Sequence, residues 1–227
     1  MEMTPERWKN LSAYAADVFG RPDPQLRSLM SRAVAAGLPD IAISADVGRL
    51  LMMLTASTNN GRGADIAVEL GTLGGYSAIW IARGLCSSPP GRLITVELEP
   101  RHADFARREF QQAGLADRIE QIAGPALGEL PALARRLGPS SIDVAFLDAV
   151  KTEYPDYLRF LKPMLKRGGL LLADNCLGGG NWSMDDPPGL TPERDAVDRF
   201  NRETAADPDF GAACIINREG LLVARRL

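Results

Sequence analysis

The chain has 227 residues, a length that fits one large domain or a smaller domain with an appendage. Its 26 basic and 29 acidic residues give a formal net charge of −3, so no basic excess favours nucleic acid or an anionic membrane as a partner. The single histidine, His102, excludes a zinc helix with two histidine ligands. Three cysteines, Cys86, Cys176 and Cys214, lack a CxxC spacing and predict neither a zinc ribbon nor a disulfide framework. A bound metal ion is therefore expected to have oxygen ligands.

The sequence shows no features of an export signal or of a membrane span. Its first residues are charged and lack an apolar core, and no run approaches the roughly 18 apolar residues of a transmembrane helix. Together with unpaired cysteines, this composition predicts a cytoplasmic protein with no membrane partner.

Three helices are predicted in the first 60 residues, over 5–18, 23–36 and 44–58. Gly37 is a helix stop signal after the second of them. Apolar residues recur at helical spacing in the third, and the helix-breaking run Asn59-Asn60-Gly61 follows it. We expect these helices to form an N-terminal cap over residues 1–60.

Beyond residue 65, short apolar runs alternate with helical segments. The predicted strands are 66–70, 93–97, 119–123, 142–147 and 170–173, and the predicted helices lie near 75–85, 100–113, 125–137 and 153–166. Continuously apolar strands that alternate with helices are typical of a doubly wound α/β fold, a mostly parallel sheet covered on both faces. Two last runs, 213–217 and 221–224, predict a C-terminal antiparallel hairpin, which makes seven strands. We expect one domain over 1–227, with the sheet in 61–227.

A glycine-rich turn follows the first predicted strand. Gly71, Gly74 and Gly75 lie between Glu69 and Ser77, at the start of the next helix, where free backbone N–H groups favour an anion. The spacing differs from both the dinucleotide fingerprint and the phosphate-binding P-loop. A ligand carboxylate is therefore favoured over a pyrophosphate, although a plain strand–helix turn would have similar glycines.

Glu97 ends the second predicted strand. A carboxylate at this strand end commonly accepts hydrogen bonds from two ribose hydroxyls. Considered alone, Glu97 would be interpreted as a solvated acid at a strand end. Together with the glycine turn, it favours a nucleoside ligand.

Oxygen-bearing side chains follow the fourth and fifth predicted strands. Asp148 comes after one strand, and Asp174 and Asn175 come after the next. If these strands are neighbours, the three side chains converge on a site suited to a hard cation such as Mg²⁺. Each aspartate could instead cap the segment that follows it. Lys151, beside such a cation, is a candidate general base, although many loop lysines are simply solvated.

The glycine turn, Glu97 and the polar residues after the fourth and fifth strands, taken in order, resemble the cation-dependent O-methyltransferases. This family comprises the catechol and caffeoyl-CoA O-methyltransferases and their bacterial relatives. The resemblance covers most of residues 41–227 and rests on the segments VELGTLGGYSAIWIA, LITVELEP, GPALGELPAL, FLDAVKTEY and GGLLLADN. It implies a Rossmann-like methyltransferase sheet and a cation, Mg²⁺ or another hard divalent ion such as Mn²⁺ or Ca²⁺, held by Asp148, Asp174 and Asn175. It also implies Lys151 as the catalytic base, and a homodimer with dimer and substrate contacts in residues 1–60.

The resemblance further implies S-adenosylmethionine as the cofactor and a catechol-like aromatic hydroxyl as the methyl acceptor. It places Glu69 and Ser77 at the methionine moiety, Glu97 at the ribose and Ala126 at the adenine. The full implied cofactor set is Ile43, Glu69, Gly71, Thr72, Gly75, Ser77, Glu97, Ala126 and Asp148.

Two features depart from the family pattern. Val150 stands where many relatives have a second aspartate, and three glycines follow Cys176-Leu177 in the long loop 176–190. Trp182 and Met184 in this loop either cover a flat acceptor or anchor the loop locally. We expect Cys176 to be a packing residue and His102 to lie on the surface, outside the site.

The sequence leaves three other functions to compare with this one. A short-chain nicotinamide dehydrogenase needs a Tyr-x-x-x-Lys pair, which the sequence lacks. An amino-group methyltransferase would have an Asn/Asp-Pro-Pro-aromatic motif after the fourth strand, and the similar run 186–189 lies elsewhere. A regulatory protein that binds S-adenosylmethionine without catalysis remains as an alternative.

Overall fold

The computed structural model describes residues 4–178, 189 and 191–227, and its centre is a seven-stranded sheet. The strands are β1 (Ile66–Leu70), β2 (Arg92–Glu97), β3 (Ile119–Ala123), β4 (Ile142–Leu147), β5 (Leu165–Ala173), β6 (Phe210–Ile215) and β7 (Leu221–Arg226). Their order across the sheet is β3-β2-β1-β4-β5-β7-β6. Strands β1 to β5 are parallel, whereas β7 is antiparallel to both of its neighbours. The predicted α/β fold with a C-terminal hairpin is confirmed.

Helices cover the sheet and form the N-terminal cap. They are α1 (Pro5–Ala15), α2 (Pro24–Ala35), α3 (Ala45–Gly61), α4 (Tyr76–Arg83), α5 (Pro100–Gln112), α6 (Ala126–Leu137), α7 (Tyr154–Met164) and α8 (Pro192–Ala206). A π-helical turn at Ala16–Gly20 continues α1, and a 3₁₀ turn at Lys151–Glu153 precedes α7. Regular helical geometry in α3 ends before Thr58, because Asn59 and Asn60 take φ angles of 51° and 58°. The breaker run therefore acts as predicted.

The apolar strands form two cores, one on each face of the sheet. Helices α2 to α5 pack on one face, where β4 contributes Phe146, and α6 to α8 pack on the other, where β4 contributes Leu147. Successive strand residues point to opposite faces, so a strand buried on both sides must be apolar throughout. This requirement explains why the strand signal in the sequence was continuous rather than alternating.

Two elements differ from the sequence-based expectation. Strand β5 begins at Leu165, not at residue 170, because α7 ends at Met164 and the chain pairs with β4 at once. The pairing with β4 then shifts register before Leu170, and Gly168 in between has a φ of 81°. Helix α8 was not predicted. Its signals were present, since the Thr191 side chain accepts a hydrogen bond from the Arg194 N–H, and Pro192 occupies the first turn.

The register brings the carboxyl ends of three strands to the same level. Leu70 of β1 pairs with Leu147 of β4, and Leu147 pairs with Ala173 of β5. Strand order reverses between β1 and β4, where open α/β sheets bind their ligands. A ligand site is therefore expected among the residues that follow these strands. Within the described part of the chain, no helix is both long and apolar enough to cross a bilayer.

Candidate active site

The turn after β1 requires glycine at residue 71. Gly71 has a φ of 97°, and a Cβ atom on it would lie 2.3 Å from the main-chain oxygen of Asp148. A side chain is therefore excluded both by the backbone conformation and by the close approach of the turn after β4. This contact places the glycine turn directly against the first residue of the candidate metal set.

Glu97 holds the glycine turn in place. Its Oε2 accepts hydrogen bonds from the backbone N–H groups of Thr72, at 3.0 Å, and Leu73, at 2.7 Å. Its Oε1 accepts one from the Glu99 N–H at 2.9 Å. A carboxylate has about four acceptor positions, so after these three donors about one remains for a ligand hydroxyl. Glu97 also lines the cavity described below.

Glu69 lies beneath the glycine turn with no solvent exposure. The Thr95 hydroxyl donates to its Oε2 over 2.6 Å, whereas its Oε1 has no protein partner among the described residues. Burial raises the pKa of Glu69 to about 8, although hydrogen bonds from Ser77 and Thr95 oppose the shift. A buried carboxyl with one unsatisfied oxygen is a place for a cationic or hydrogen-bonding ligand group.

The three candidate metal ligands lie together. The Asp148 N–H donates to the Leu70 oxygen over 2.9 Å, and the Asp174 N–H donates to the Leu147 oxygen over 3.0 Å, so both aspartates extend the sheet ladder by one step. Burial, and secondarily the charge of Asp148, raise the pKa of Asp174 to about 6. Two carboxylates close together in a buried place leave negative charge that a cation would neutralise.

Asn175 is the third candidate ligand, through its side-chain oxygen. Its φ of 56° is left-handed, and its side-chain Nδ2 donates to Glu219 Oε2 over 2.5 Å. This bond uses one of the two N–H donors and orients the amide, and Oδ1 is the acceptor atom that a cation would take. The described residues contain no group of three or more His, Cys, Asp or Glu side chains suited to a metal ion, so a three-ligand protein site here requires the asparagine.

Lys151 lies in a hydrogen-bonded chain. Its Nζ donates to Asp148 Oδ1 over 2.7 Å and to the Tyr154 hydroxyl over 2.8 Å. Tyr154 is fully buried, and its hydroxyl is also within hydrogen-bond distance of the main-chain oxygens of Leu147, at 3.1 Å, and Asp174, at 3.3 Å. Tyr154 therefore fixes the amine relative to both strand ends.

A cavity of about 770 Å³ joins these groups. It is lined by many of the sequence-predicted site residues, namely Ile43, Gly71, Thr72, Ser77, Glu97, Ala126, Asp148, Lys151 and Asn175. Glu69, Gly75 and Asp174 are not among the residues that line it. Gly75 shapes the start of α4, where a Cβ atom would lie 2.6 Å from the Phe110 ring. Val150, the departure from the family pattern, is 46% exposed at the cavity.

The prediction for His102 was wrong. Its Nδ1 lies 3.4 Å from Glu97 Oε1, and the ring lines the cavity. The first turn of α5 starts directly after β2, so a residue there faces the strand end. This position follows from the strand–helix connection and has no signal in the local pattern.

The tip of the β6–β7 hairpin was not predicted to reach the site. Arg218 and Glu219 both line the cavity, as does Tyr157 of α7. The sequence identified 218–220 only as a turn, because its neighbours at the cavity are distant along the chain.

The cysteines are not all far apart in space. The thiols of Cys176 and Cys214 are free, and their Sγ atoms are 3.3 Å apart. Cys176 is buried in the second core, as expected for a packing residue. Trp182 and Met184 lie outside the described residues.

A family model for O-methyltransferases matches residues 16–227 of the chain. The chain is 40% identical to a catechol O-methyltransferase of Mycobacterium tuberculosis over 171 residues, which cover 75% of this chain and 73% of that protein. It is 32% identical to a catechol O-methyltransferase of Niastella koreensis, with 94% of this chain and 92% of that protein covered.

Solved structures of O-methyltransferases are also similar to this chain. An O-methyltransferase from Bacillus cereus in complex with S-adenosylhomocysteine has a TM-score of 0.86 and 31% identity, with 98% of this chain and 99% of that chain covered. The O-methyltransferase TomG from Streptomyces achromogenes, in complex with S-adenosylmethionine, has a TM-score of 0.84 and 33% identity, with 99% of each chain covered.

The chain belongs to the O-methyltransferase family and is an S-adenosylmethionine-dependent enzyme of that class. The sequence-based recognition of this family is confirmed. The dehydrogenase, amino-group methyltransferase and purely regulatory alternatives are overturned by the same matches.

Proposed function

We propose that this enzyme transfers a methyl group from S-adenosylmethionine to one hydroxyl of a catechol-like acceptor, with Mg²⁺ or a similar divalent cation. The observation that carries the proposal is the meeting of three sets at one cavity: the glycine turn with Glu97, the pair Asp148 and Asn175 with Asp174 next to Asn175 in the chain, and Lys151. The names of two relatives, both catechol O-methyltransferases, support the acceptor class.

The cofactor occupies the part of the cavity between β1 and β2. Glu97 would bind a ribose hydroxyl with the acceptor position that its backbone donors leave free, and Ala126 would contact the adenine. Ile43, Gly71, Thr72 and Asp148 line the space for the methionine part. Glu69 offers its unpartnered Oε1 to the cofactor ammonium from below, beside Ser77.

Asp148, Asp174 and Asn175 fit a hard divalent cation. Two clustered carboxylates and a free amide oxygen are the donors that Mg²⁺ prefers, and Glu219 orients the amide so that its oxygen is available. A cation held by these residues would supply Lewis-acid chemistry: it would bind an acceptor with two adjacent oxygens and lower the pKa of its hydroxyl.

The neutral form of Lys151 takes the hydroxyl proton and becomes the ammonium. Its Nζ lies at the cavity wall beside Asp148 and the Tyr154 hydroxyl, so the unprotonated amine can accept a proton from an acceptor placed beside Asp148. The phenolate oxygen then attacks the methyl carbon in line, the carbon–sulfur bond breaks, and S-adenosylhomocysteine leaves. Charge is neutralised in this step, so the protein contributes mainly deprotonation and alignment, and alignment alone can supply about 7–11 kcal/mol.

Incubation with S-adenosylmethionine, Mg²⁺ and a set of simple phenols tests this function. Catechol should yield guaiacol, detected by mass spectrometry, together with one equivalent of S-adenosylhomocysteine. Phenol and resorcinol, which lack adjacent hydroxyls, should give no product above background. Equal methylation of catechol and resorcinol would contradict a chelating acceptor.

We also propose a homodimer formed through the N-terminal segment. Helix α1 has no buried residue, and Leu11, Tyr14 and Phe19 have exposed fractions of 49%, 61% and 62%. Apolar side chains of this size, clustered on one segment, are typical of a surface that a partner covers. Light scattering should give about twice the 24.5 kDa chain mass. A monomeric mass would contradict the dimer.

A further inference from the structure

Arg218 lies at the tip of the β6–β7 hairpin and faces the cavity. The hairpin tip is tied to the turn after β5, because the Leu177 N–H donates to the Glu219 oxygen over 2.8 Å and the Cys176 N–H donates to the Gly220 oxygen over 3.0 Å. The position of Arg218 is therefore fixed relative to the neighbouring Asn175.

The backbone of Arg218 is unfavourable for a residue with a side chain. Its φ is 45°, in the left-handed region, which costs roughly 1–2 kcal/mol for a residue other than glycine. A turn that served only to connect β6 and β7 would be more stable with glycine at this place. Strain of this kind clusters at functional sites, which indicates a functional role for the Arg218 side chain.

The guanidinium of Arg218 forms few hydrogen bonds with the described residues. One nitrogen, Nη1, donates to the Ala42 main-chain oxygen over 3.3 Å. In the described part of the chain, no carboxylate forms an ion pair with it, whereas the other cationic side chain at the cavity, Lys151, is paired with Asp148. Arginine has five N–H donors in a planar fork, so most of the donors of Arg218 remain for a ligand.

Arg218 lies at the same cavity as the candidate metal group. Arg218, Asp148 and Lys151 all line it, so the guanidinium shares the cavity in which the acceptor would be deprotonated. A nearby Glu219 oxygen is occupied by Asn175, so it is not free to neutralise the arginine through that atom.

We propose that Arg218 is a specificity residue that selects aromatic acceptors carrying a carboxylate, which the guanidinium binds through charge-assisted hydrogen bonds. This inference rests on the proposed function and narrows its acceptor class from catechols in general to catechol carboxylic acids. The planar fork matches a carboxylate in geometry, and a bidentate pair fixes the ring as well as attracting it. Arg218 acts on acceptor binding and leaves the transfer chemistry to Lys151.

Matched acids and esters test the proposal. The acceptors are protocatechuate and dihydrocaffeate, each compared with its methyl ester, which keeps the ring and removes the charge. The enzymes are the wild type, Arg218→Met and the control Arg225→Met, which removes an exposed arginine of β7 that does not line the cavity. Values of kcat/KM are measured for each pair. Calorimetry measures the binding of each acid to the enzyme complexed with S-adenosylhomocysteine.

The wild type and the Arg225→Met variant should prefer at least one acid over its ester by tenfold or more in kcat/KM. Arg218→Met should lower kcat/KM for that acid about 10- to 100-fold, mainly through KM, and weaken its binding similarly. The ester should change by less than about threefold.

Three outcomes would overturn the inference. Equal use of acid and ester by the wild type would remove the selectivity while leaving the methyltransferase function intact. An equal loss for acid and ester in Arg218→Met would show that the side chain only supports the fold through Ala42. Failure to methylate any catechol, acid or ester, by enzyme that binds S-adenosylmethionine would overturn the proposed function together with this inference.

Discussion

The Lys151 ammonium donates a hydrogen bond to Asp148 Oδ1 over 2.7 Å, and this pair lies where the glycine turn after β1 meets the turn after β4. One partner is the candidate base and the other is both a candidate metal ligand and part of the cofactor wall. In the proposed function, the cofactor, the metal and the base would thus be connected through a single carboxylate. Substitutions of the residues around Asp148 should therefore affect cofactor affinity and the rate of methyl transfer separately.

Replacing Lys151 with alanine should lower kcat without impairing cofactor binding. A positioned general base contributes about 10²–10⁴-fold to rate, so a loss in that range is expected with catechol as acceptor. The affinity for S-adenosylmethionine, measured by calorimetry, should stay within about twofold. Lys9→Ala, on the exposed surface of α1, is the control. Wild-type turnover in Lys151→Ala would remove this lysine as the base.

The buried Glu69 carboxyl should make stability depend on pH. Its folded-state pKa of about 8 lies above the ordinary value of 4.5, so between these values the folded protein holds a proton that the unfolded chain has lost. Its contribution to the free energy of unfolding therefore falls as pH rises through this window, by up to about 1.4 kcal/mol per pH unit. The contribution is fully present below pH 4.5.

Glu69→Gln removes this titration. Its free energy of unfolding, measured with urea at pH 5.5, 7 and 8 without cofactor, should rise relative to the wild type as pH increases. Glu203→Gln, an exposed change on α8, should follow the wild type at every pH. Parallel pH profiles for Glu69→Gln and the wild type would show that Glu69 is ionised in the folded protein.

Gly71→Ala should destabilise the protein more than a left-handed conformation alone explains. Gly114 is the matched control, because its φ is 67° and a Cβ atom there would have nothing within 4 Å. Gly114→Ala should cost roughly 1–2 kcal/mol. Gly71→Ala should cost more, since its Cβ would meet the Asp148 oxygen, and it should also weaken S-adenosylmethionine binding. Equal losses of stability and no change in cofactor affinity would contradict the proposed packing of these turns.

Sequence patterns predicted the sheet well because burial on both faces forces an apolar run. Strands β1, β3 and β4 have the predicted bounds, and the polar residues after β4 and β5 come together because neighbouring parallel strands end at one edge. Helix α8 was missed although Thr191 and Pro192 marked its start, since its many charged residues hid the buried face formed around Phe200.

The remaining parts of the site depend on contacts between distant residues. Arg218 reaches Ala42, and Glu219 holds Asn175, through hairpin pairing that no local spacing encodes. His102 approaches Glu97 because α5 begins directly after the strand, an effect of the connection rather than of residue type. Such contacts follow from the three-dimensional register and are seen only once the strands are placed.

The central claim is that a divalent cation at Asp148, Asp174 and Asn175 serves the acceptor rather than the cofactor. The most direct measurement follows catechol methylation and S-adenosylmethionine binding in parallel, for wild type and Asp174→Ala, after EDTA treatment and after adding Mg²⁺. EDTA should stop wild-type transfer and Mg²⁺ should restore it, whereas Asp174→Ala should stay inactive and both proteins should bind the cofactor throughout. Wild-type turnover that is indifferent to chelation would contradict the claim.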